Sequence, residues 1–203
     1  MPQSFESIEP KGRGKVYAVT SGKGGVGKTS IAVNLSIAIS SAGMRVLLID
    51  ADMGLANVDL LTGVTAPHTI EEVIRGEASI FDALADGPEN LTVLSAGSGI
   101  GAIRELDDEH VALFRKELLK LENAFDLIFI DTGAGISANV IDFVFMAEEV
   151  IVVMTPEPTA IADAYAMVKV VTLEKPEMQV GIVVNMARNE NEGSAIADRK
   201  RVV

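Results

Sequence analysis

The chain has 203 residues, contains no cysteine and carries a formal charge of −12 at pH 7. The length suits one well-buried domain rather than two, and the lack of cysteine excludes disulfides, iron–sulfur clusters and thiolate zinc sites. The acidic balance disfavours nonspecific binding to DNA, which requires lysine and arginine opposite the phosphates. Hydrophobic residues make up 48% of the chain and aromatic residues only 4%, which favours an aliphatic core of parallel strands covered by helices.

The first residues predict neither export nor membrane insertion. Residues 1–14 are polar, include glycine and proline, and lack the apolar core of a signal peptide. We expect them to form a disordered leader before a single domain over residues 15–203. No run of 18 apolar residues occurs, so the sequence predicts no transmembrane helix. We therefore expect a cytoplasmic protein.

A glycine-rich loop follows the first predicted strand, residues 16–20, and precedes a helical pattern over residues 31–42. Residues 22–29, GKGGVGKT, fit the phosphate-loop pattern G-x-x-x-x-G-K-[ST]. Such a loop presents backbone N–H groups to phosphates, and the helix after it adds its own N-terminal N–H groups. The candidate nucleotide-binding residues are therefore Gly22, Lys23, Gly24, Gly25, Val26, Gly27, Lys28, Thr29 and Ser30.

Three side chains of this loop carry separate predictions. Lys28 should reach the β- and γ-phosphates, and the hydroxyl of Thr29 should ligate Mg²⁺. Lys23 is an additional lysine that the pattern does not require. It is either a solvated side chain or a candidate to reach a nucleotide held by a second subunit, as arginine fingers do, and the loop alone leaves both readings open.

Two carboxylates follow the second predicted strand, residues 45–49. Asp50 and Asp52 are two residues apart, so in an extended segment both point to one side. This is the edge of the sheet at which α/β proteins bind ligands. One carboxylate would support Mg²⁺ through water, and the other would orient or deprotonate an attacking water. An acidic turn cap is the alternative.

The middle of the chain predicts short elements before a longer helix. We expect helices over residues 69–75 and 79–85, with Thr69 and Glu72 forming a capping box, and a strand over residues 91–94. The glycine-rich residues 95–101 lack Lys-Thr, so we expect a mobile loop rather than a second phosphate site. An amphipathic helix follows over residues 107–123.

The next apolar strand, residues 127–130, ends in Asp131. This fits a Walker B strand, whose carboxylate holds Mg²⁺, usually through water. The small residues after it, DTGAGIS over residues 131–137, predict a switch that lies against the γ-phosphate.

The remaining elements end the predicted domain. They are a strand over residues 150–154, a turn with Pro156 and Pro158, a helix capped by Thr159 and ending at Glu174, a strand over residues 179–184 that leads to Asn185, a polar loop over residues 189–193, and a partial helix over residues 194–203.

The loop GKGGVGKT resembles the deviant Walker A motif of the MinD/ParA ATPases. The resemblance implies a three-layer α/β/α P-loop NTPase fold with a mainly parallel twisted sheet, ATP or ADP and Mg²⁺ as ligands, and an ATP-dependent homodimer. It implies three catalytic residues. Lys23 would cross to the nucleotide of the partner subunit, Asp52 would position the hydrolytic water, and Lys28 is the third. The metal candidates are Thr29, Asp50 and Asp131. Asn185 matches an asparagine that contacts the base. Pro156 belongs to the segment TPEPT, which lies near the dimer interface, and it is a further candidate for contact with the nucleotide.

Two sequence features bring the chain nearer to one branch of this family. Residues 54–59, GLANVD, resemble MinD and flagellar FlhG/FleN proteins, and Gly133 stands where typical MinD has proline. The FlhG/FleN branch implies a slow ATPase switch that sets the number or placement of flagella, with FlhF or a flagellar transcription regulator as partner. The alternatives are a MinD-type division-site ATPase, a ParA-type DNA-partition ATPase and an adaptor that binds nucleotide without hydrolysis.

The two ends of the chain depart from the family pattern. Family members continue with a further strand and helices, and MinD and FlhG end in an amphipathic membrane helix. Residues 195–203 are too short for that helix, and residues 1–14 lack the Asp-Gln-Ala segment through which many FlhG proteins stimulate FlhF. We therefore expect contact with the inner face of the membrane only if such a helix lies outside this chain.

Overall fold

The computed structural model describes residues 13–52, 57–95 and 107–198. The strands within them are β1 (Lys15–Ser21), β2 (Val46–Ala51), β3 (Leu84–Asp86), β4 (Thr92–Leu94), β5 (Leu127–Ala134), β6 (Glu149–Met154) and β7 (Gln179–Val184). These seven strands form one sheet in the order β3-β4-β2-β5-β1-β6-β7. Every neighbouring pair is parallel except β3 and β4, which are antiparallel.

Helices cover both faces of the sheet. They are α1 (Lys28–Ser41), α2 (Val58–Thr62), α3 (Ile70–Ile74), α4 (Asp108–Leu121), α5 (Ala138–Val144), α6 (Pro158–Glu174) and α7 (Glu190–Ala197). One buried cluster combines strand residues with α3, α4, α5 and α6, and a second combines the opposite strand faces with α1 and α2. Strand residues alternate between the clusters, as Leu47 and Leu48 do. This confirms the predicted three-layer α/β/α fold with a mainly parallel sheet.

The sheet order places β1 in the interior, between β5 and β6. The chain crosses from β1 to β2 on one side and later to β6 on the other, so strand order reverses beside β1. Ligands of open α/β sheets bind at such a point, beyond the carboxyl ends of the strands. The phosphate-loop candidate follows β1 at this end of the sheet.

Several local predictions are confirmed, and others are wrong. Thr69 and Glu72 form the capping box of α3, and the side chain of Asp107 accepts from the backbone N–H of His110 at the start of α4. The helix predicted over residues 79–85 is wrong, because turns lead into the short strand β3, whose backbone pairs with β4. Residues 1–12 and 96–106, and with them the leader and most of the second glycine-rich segment, lie outside the described residues.

The last helices also begin earlier than predicted. Glu157, not Thr159, is the N-cap of α6, and proline at the first helical position supplies the fixed φ that starts this helix. The polar residues after Asn189 form α7 rather than a loop, because the Asn189 side chain accepts from the Glu192 N–H and caps the helix. Across the described ranges, no helix is long and apolar enough to cross a membrane.

Candidate nucleotide-binding site

The glycine-rich loop joins β1 to α1 and forms an open cradle. Gly25 and Gly27 have φ of +80° and +86°, values that residues other than glycine rarely adopt. A Cβ atom at Gly24 or Gly25 would meet nothing within 4 Å. The loop opens into a cavity of about 590 Å³ lined by Ser21, Gly24, Gly25, Val26, Gly27, Lys28, Thr29, Ser30, Asp52, Asn57, Leu60, Leu61 and Ala134.

Gly22 has a different task from the other loop glycines. A Cβ atom there would lie 2.1 Å from the carbonyl oxygen of Asp163 and 2.7 Å from the nitrogen of Ala164, both in the backbone of α6. Gly22 therefore lets the loop pack directly against this helix and is absent from the lining of the cavity. The predicted contact of Gly22 with the nucleotide stays a prediction. Its packing against α6 was not foreseen, because the pattern contains no sign of a helix that is far away in sequence.

Lys28 and Asp131 form a buried ion pair beneath the cradle. The Lys28 ammonium donates to Asp131 Oδ1 at 2.7 Å, and the two side chains are 7% and 0% exposed. Burial raises the pKa of the Asp131 carboxyl above its ordinary value, while the charge of Lys28 opposes this shift. The hydroxyl of Thr29 lies 3.5 Å from the Lys28 ammonium. Three residues predicted to serve phosphate and Mg²⁺ are thus brought together.

The second oxygen of Asp131 has unused hydrogen-bonding capacity. Oδ2 is buried and has no hydrogen-bond partner among the described residues. Such an oxygen, beside a threonine hydroxyl, suits Mg²⁺, which prefers oxygen ligands and retains several waters. No group of three or more histidine, cysteine or acidic residues within the described ranges is arranged to hold a metal ion. A Mg²⁺ ion here would therefore take most of its ligands from water and phosphates.

The two carboxylates after β2 occupy different environments. Asp50 is fully buried, and its oxygens accept from the backbone N–H groups of Asp52 and Val58 at 3.1 and 3.2 Å. Burial raises its pKa to about 7. Asp52 lines the cavity. A Cβ atom at Gly133 would lie 3.1 Å from Val140 Cγ2, a tight contact, and 3.9 Å from Asp52 Oδ1, an ordinary one, so the end of β5 passes close to Asp52.

Lys23 points away from the cradle and is held at the start of α6. Its ammonium donates to Glu157 Oε2 at 3.1 Å and to Thr159 Oγ1 at 3.2 Å, with 41% of the side chain exposed. Its side chain is therefore fixed by these two contacts rather than freely solvated. Sequence reasoning missed Glu157 and assigned Thr159 to a cap. The segment TPEPT contains a carboxylate and a hydroxyl on either side of Pro158, but nothing within it indicates Lys23 as their partner.

Asn185 and Pro156 lie near the loop in different ways. The Asn185 amide donates to the Val26 carbonyl at 2.9 Å, while its oxygen accepts from the Met186 N–H. The asparagine thus braces the phosphate loop against the end of β7. Pro156 lines a separate cavity next to α7. The predicted contacts of Asn185 with a base and of Pro156 with a cofactor remain predictions.

The rim of the main cavity is apolar on one side. Leu60 and Leu61 of α2 line it, although 82% and 52% of their surfaces are exposed. Single exposed leucines are ordinary in folded proteins. Two adjacent ones at the mouth of the phosphate-loop cavity form a patch that another protein surface would bury.

With this geometry in place, comparison with known proteins identifies the family. A family model described as an AAA domain matches residues 14–182. The antiactivator FleN of Pseudomonas aeruginosa is 40% identical over 88% of this chain and 64% of its own length. The chain belongs to the MinD/ParA superfamily, close to FlhG/FleN. The flagellum site-determining protein YlxH of Helicobacter pylori is 35% identical over 98% of this chain and 66% of its own length.

A solved structure agrees with the fold of this superfamily member. The septum site-determining protein MinD from Pyrococcus horikoshii, complexed with Mg-ADP, superposes with a TM-score of 0.74. It is 30% identical and covers 91% of this chain and 76% of its own chain. The present chain spans about two thirds of the length of the curated relatives FleN and YlxH.

Proposed function

We propose that this chain binds ATP with Mg²⁺ in the phosphate-loop cavity, hydrolyses it slowly, and uses bound ATP to hold two copies together in the control of flagellar number or placement. The observation that carries the proposal is the buried contact of Lys28 with Asp131 directly beneath an open glycine cradle. The likeness to FleN and YlxH supports the flagellar setting.

Lys28 serves the site by balancing charge. In the described structure its ammonium neutralises Asp131, which burial alone would otherwise drive towards the protonated form. Phosphates in the cradle would compete with Asp131 for the same ammonium, because phosphate and carboxylate oxygens are both anionic acceptors. Thr29 and Asp131 would hold Mg²⁺, and this ion neutralises charge on the phosphates when bound.

Asp52 is the residue that we assign to the attacking water. It lines the cavity with Lys28 and Thr29, and its carboxylate lies next to Gly133 at the end of β5. A carboxylate there would accept a hydrogen bond from water and orient it towards the phosphates, as water-positioning residues of other NTPases do. Positioning and electrostatic stabilisation would supply most of the catalysis.

Dimerisation is supported by two features on the same side of the molecule as the cavity. Leu60 and Leu61 present exposed apolar surface at its mouth. Lys23 is partly exposed and tied by Glu157 and Thr159 rather than turned into its own cradle. A second copy facing the cavity would cover the two leucines, and Lys23 of each copy would lie next to the nucleotide of the other. We place this dimer in the cytoplasm, where ATP is present.

A phosphate-release assay with ATP and Mg²⁺ tests the proposal. Lys28→Ala should reduce turnover at least about 100-fold, since it removes a charge-stabilising donor from the reacting phosphates. Lys169→Ala is the matched control, because Lys169 is an exposed lysine of α6, and it should keep turnover within about twofold. Equal rates in wild type and Lys28→Ala, or no phosphate release by wild type, would contradict the proposal.

A division-site function is the second candidate, and the similarity to the MinD structure supports it. Complementation separates the two. The full-length gene should restore the normal number of flagella to a strain that lacks it, without changing the position of septa. Restoration of septum position alone would favour the division-site function and reject the flagellar one.

A further inference from the structure

Asp50 is enclosed by the chain rather than open to the cavity. It has 0% of its surface exposed and is not among the residues that line the cavity. Its Oδ1 accepts from the Asp52 N–H at 3.1 Å, and its Oδ2 accepts from the Val58 N–H at 3.2 Å. Each oxygen therefore already has a backbone donor from its own chain.

These two hydrogen bonds fix both ends of the connection between β2 and α2. Asn57, at the N-cap of α2, provides no hydrogen bond from its side chain to the helix. Asp50 accepts from Val58, the first residue of α2, and so satisfies an N–H group that would otherwise be left unpaired at a helix start. Val58 is itself fully buried in the core, which makes this end of the connection rigid. We call Asp50 and its two hydrogen bonds to Asp52 and Val58 the tether.

The tether joins two features of the same cavity. At one end is Asp52, whose carboxylate is proposed to orient water. At the other end is α2, whose Leu60 and Leu61 form the apolar rim. Because a single carboxylate holds both ends, a displacement of α2 is transmitted to the backbone of Asp52.

We propose that Asp50 is a positioning residue for hydrolysis, which aims Asp52 into the cavity and couples it to α2, rather than a ligand of Mg²⁺. The inference rests on the proposed function, because it assigns Asp50 to the reaction that Asp52 performs. It differs from the sequence-based prediction, which placed Asp50 with Thr29 and Asp131 at the metal.

The surroundings of Asp50 support a tether. Asp50 and Asp131 are directly paired across β2 and β5, so two carboxylates lie side by side in the core. Lys28 contacts Asp131, and the hydrogen bonds recorded for Asp50 come from backbone N–H groups. Neighbouring carboxylates repel each other when both are charged. The ammonium of Lys28 offsets the charge of Asp131, and the backbone N–H groups stabilise Asp50.

The test compares Asp50→Asn with Asp131→Asn at equal ATP. A carboxamide keeps one accepting oxygen but presents an NH₂ group to the other backbone donor, so Asp50→Asn breaks one arm of the tether. It should lower turnover at least about tenfold and leave the Mg²⁺ concentration at half-maximal rate within about twofold of wild type. Asp131→Asn should raise that Mg²⁺ concentration at least about fivefold. A similar rise for Asp50→Asn, or unchanged turnover, would overturn the proposal.

Hydrogen exchange supplies a readout that needs neither turnover nor metal. In the nucleotide-free protein, the amides of Asp52 and Val58 should exchange at least about tenfold faster in Asp50→Asn than in wild type, whereas amides inside β5 should be unchanged. This result is independent of the proposed ATPase activity. If Asp50→Asn does not fold, wild type decides, because exchange of either amide at the rate of an unstructured peptide would refute the tether.

Discussion

Replacing Gly22 with alanine isolates the contact between the phosphate loop and α6. The added Cβ atom would lie 2.1 Å from the Asp163 carbonyl oxygen and 2.2 Å from its carbonyl carbon. Ordinary van der Waals contact begins near 3.4 Å, so the loop or the helix must move by about 1 Å. The obstacle is backbone on both sides, and no flexible side chain can move away to relieve it.

The expected cost lies at the upper end of the range for overpacking, about 3 kcal/mol. For a chain of about 200 residues, this corresponds to a loss of about 6–12 °C in Tm. Urea unfolding without nucleotide, followed by far-UV circular dichroism, measures the free energy directly.

Gly24→Ala is the matched control for this prediction. A Cβ atom at Gly24 meets nothing within 4 Å, and its φ is not in the positive range. We expect the free energy of unfolding to change by no more than about 0.5 kcal/mol. Equal stability of Gly22→Ala and wild type would refute the close packing of the loop on α6, and equal losses in both variants would show a general intolerance of the loop.

The remaining predictions concern three polar contacts. Arg45→Ala removes the pairing of the guanidinium with Asp126 Oδ1 at 2.6 Å; it should cost about 1 kcal/mol in urea unfolding, and less at 1 M NaCl, since salt screens partly exposed pairs. Asn185→Ala removes the donor to the Val26 carbonyl and should cost about 1 kcal/mol in the same assay, with no dependence on salt. Because burial raises the folded-state pKa of Asp50 to about 7 from 3.8, the folded protein binds this proton more tightly than the unfolded chain. Its contribution to the free energy of unfolding should be complete below pH 4 and fall by something on the order of 4 kcal/mol as the pH rises to about 8. Asp50→Asn should flatten that slope, and equal slopes in the two proteins would contradict the assignment.

The local parts of the site were predictable because their signals are local. The motif of the phosphate loop predicts a glycine-rich turn between a strand and a helix. The structure confirms that order, although α1 begins at Lys28, three residues earlier than predicted. An apolar run followed by Asp131 predicts a buried strand with a carboxylate near its end, and β5 has that form. The capping box at Thr69 likewise depends on residues three apart. In each case backbone propensity and tertiary packing favour the same structure.

The missed features depend on partners that are distant in sequence. Gly22 packs on Asp163 and Lys23 pairs with Glu157, and no pattern within either segment predicts the other. Asp50 was predicted at the metal because strand-end carboxylates often bind ligands, and this stays a prediction. The hydrogen bond from the Val58 N–H to its second oxygen was not foreseen. The short strand β3 forms because β4 supplies a backbone partner, which overrides a weak helical pattern over residues 79–85.

In the proposed switch, ATP in this cavity joins two copies until Asp52 directs its hydrolysis. Multi-angle light scattering of Asp52→Ala with ATP and Mg²⁺ tests it most directly. The variant should elute as a stable dimer with ATP and as a monomer with ADP, while Asp52→Ala combined with Lys28→Ala should stay monomeric with both nucleotides. If Asp52→Ala remains monomeric while it holds ATP, the proposed switch is wrong.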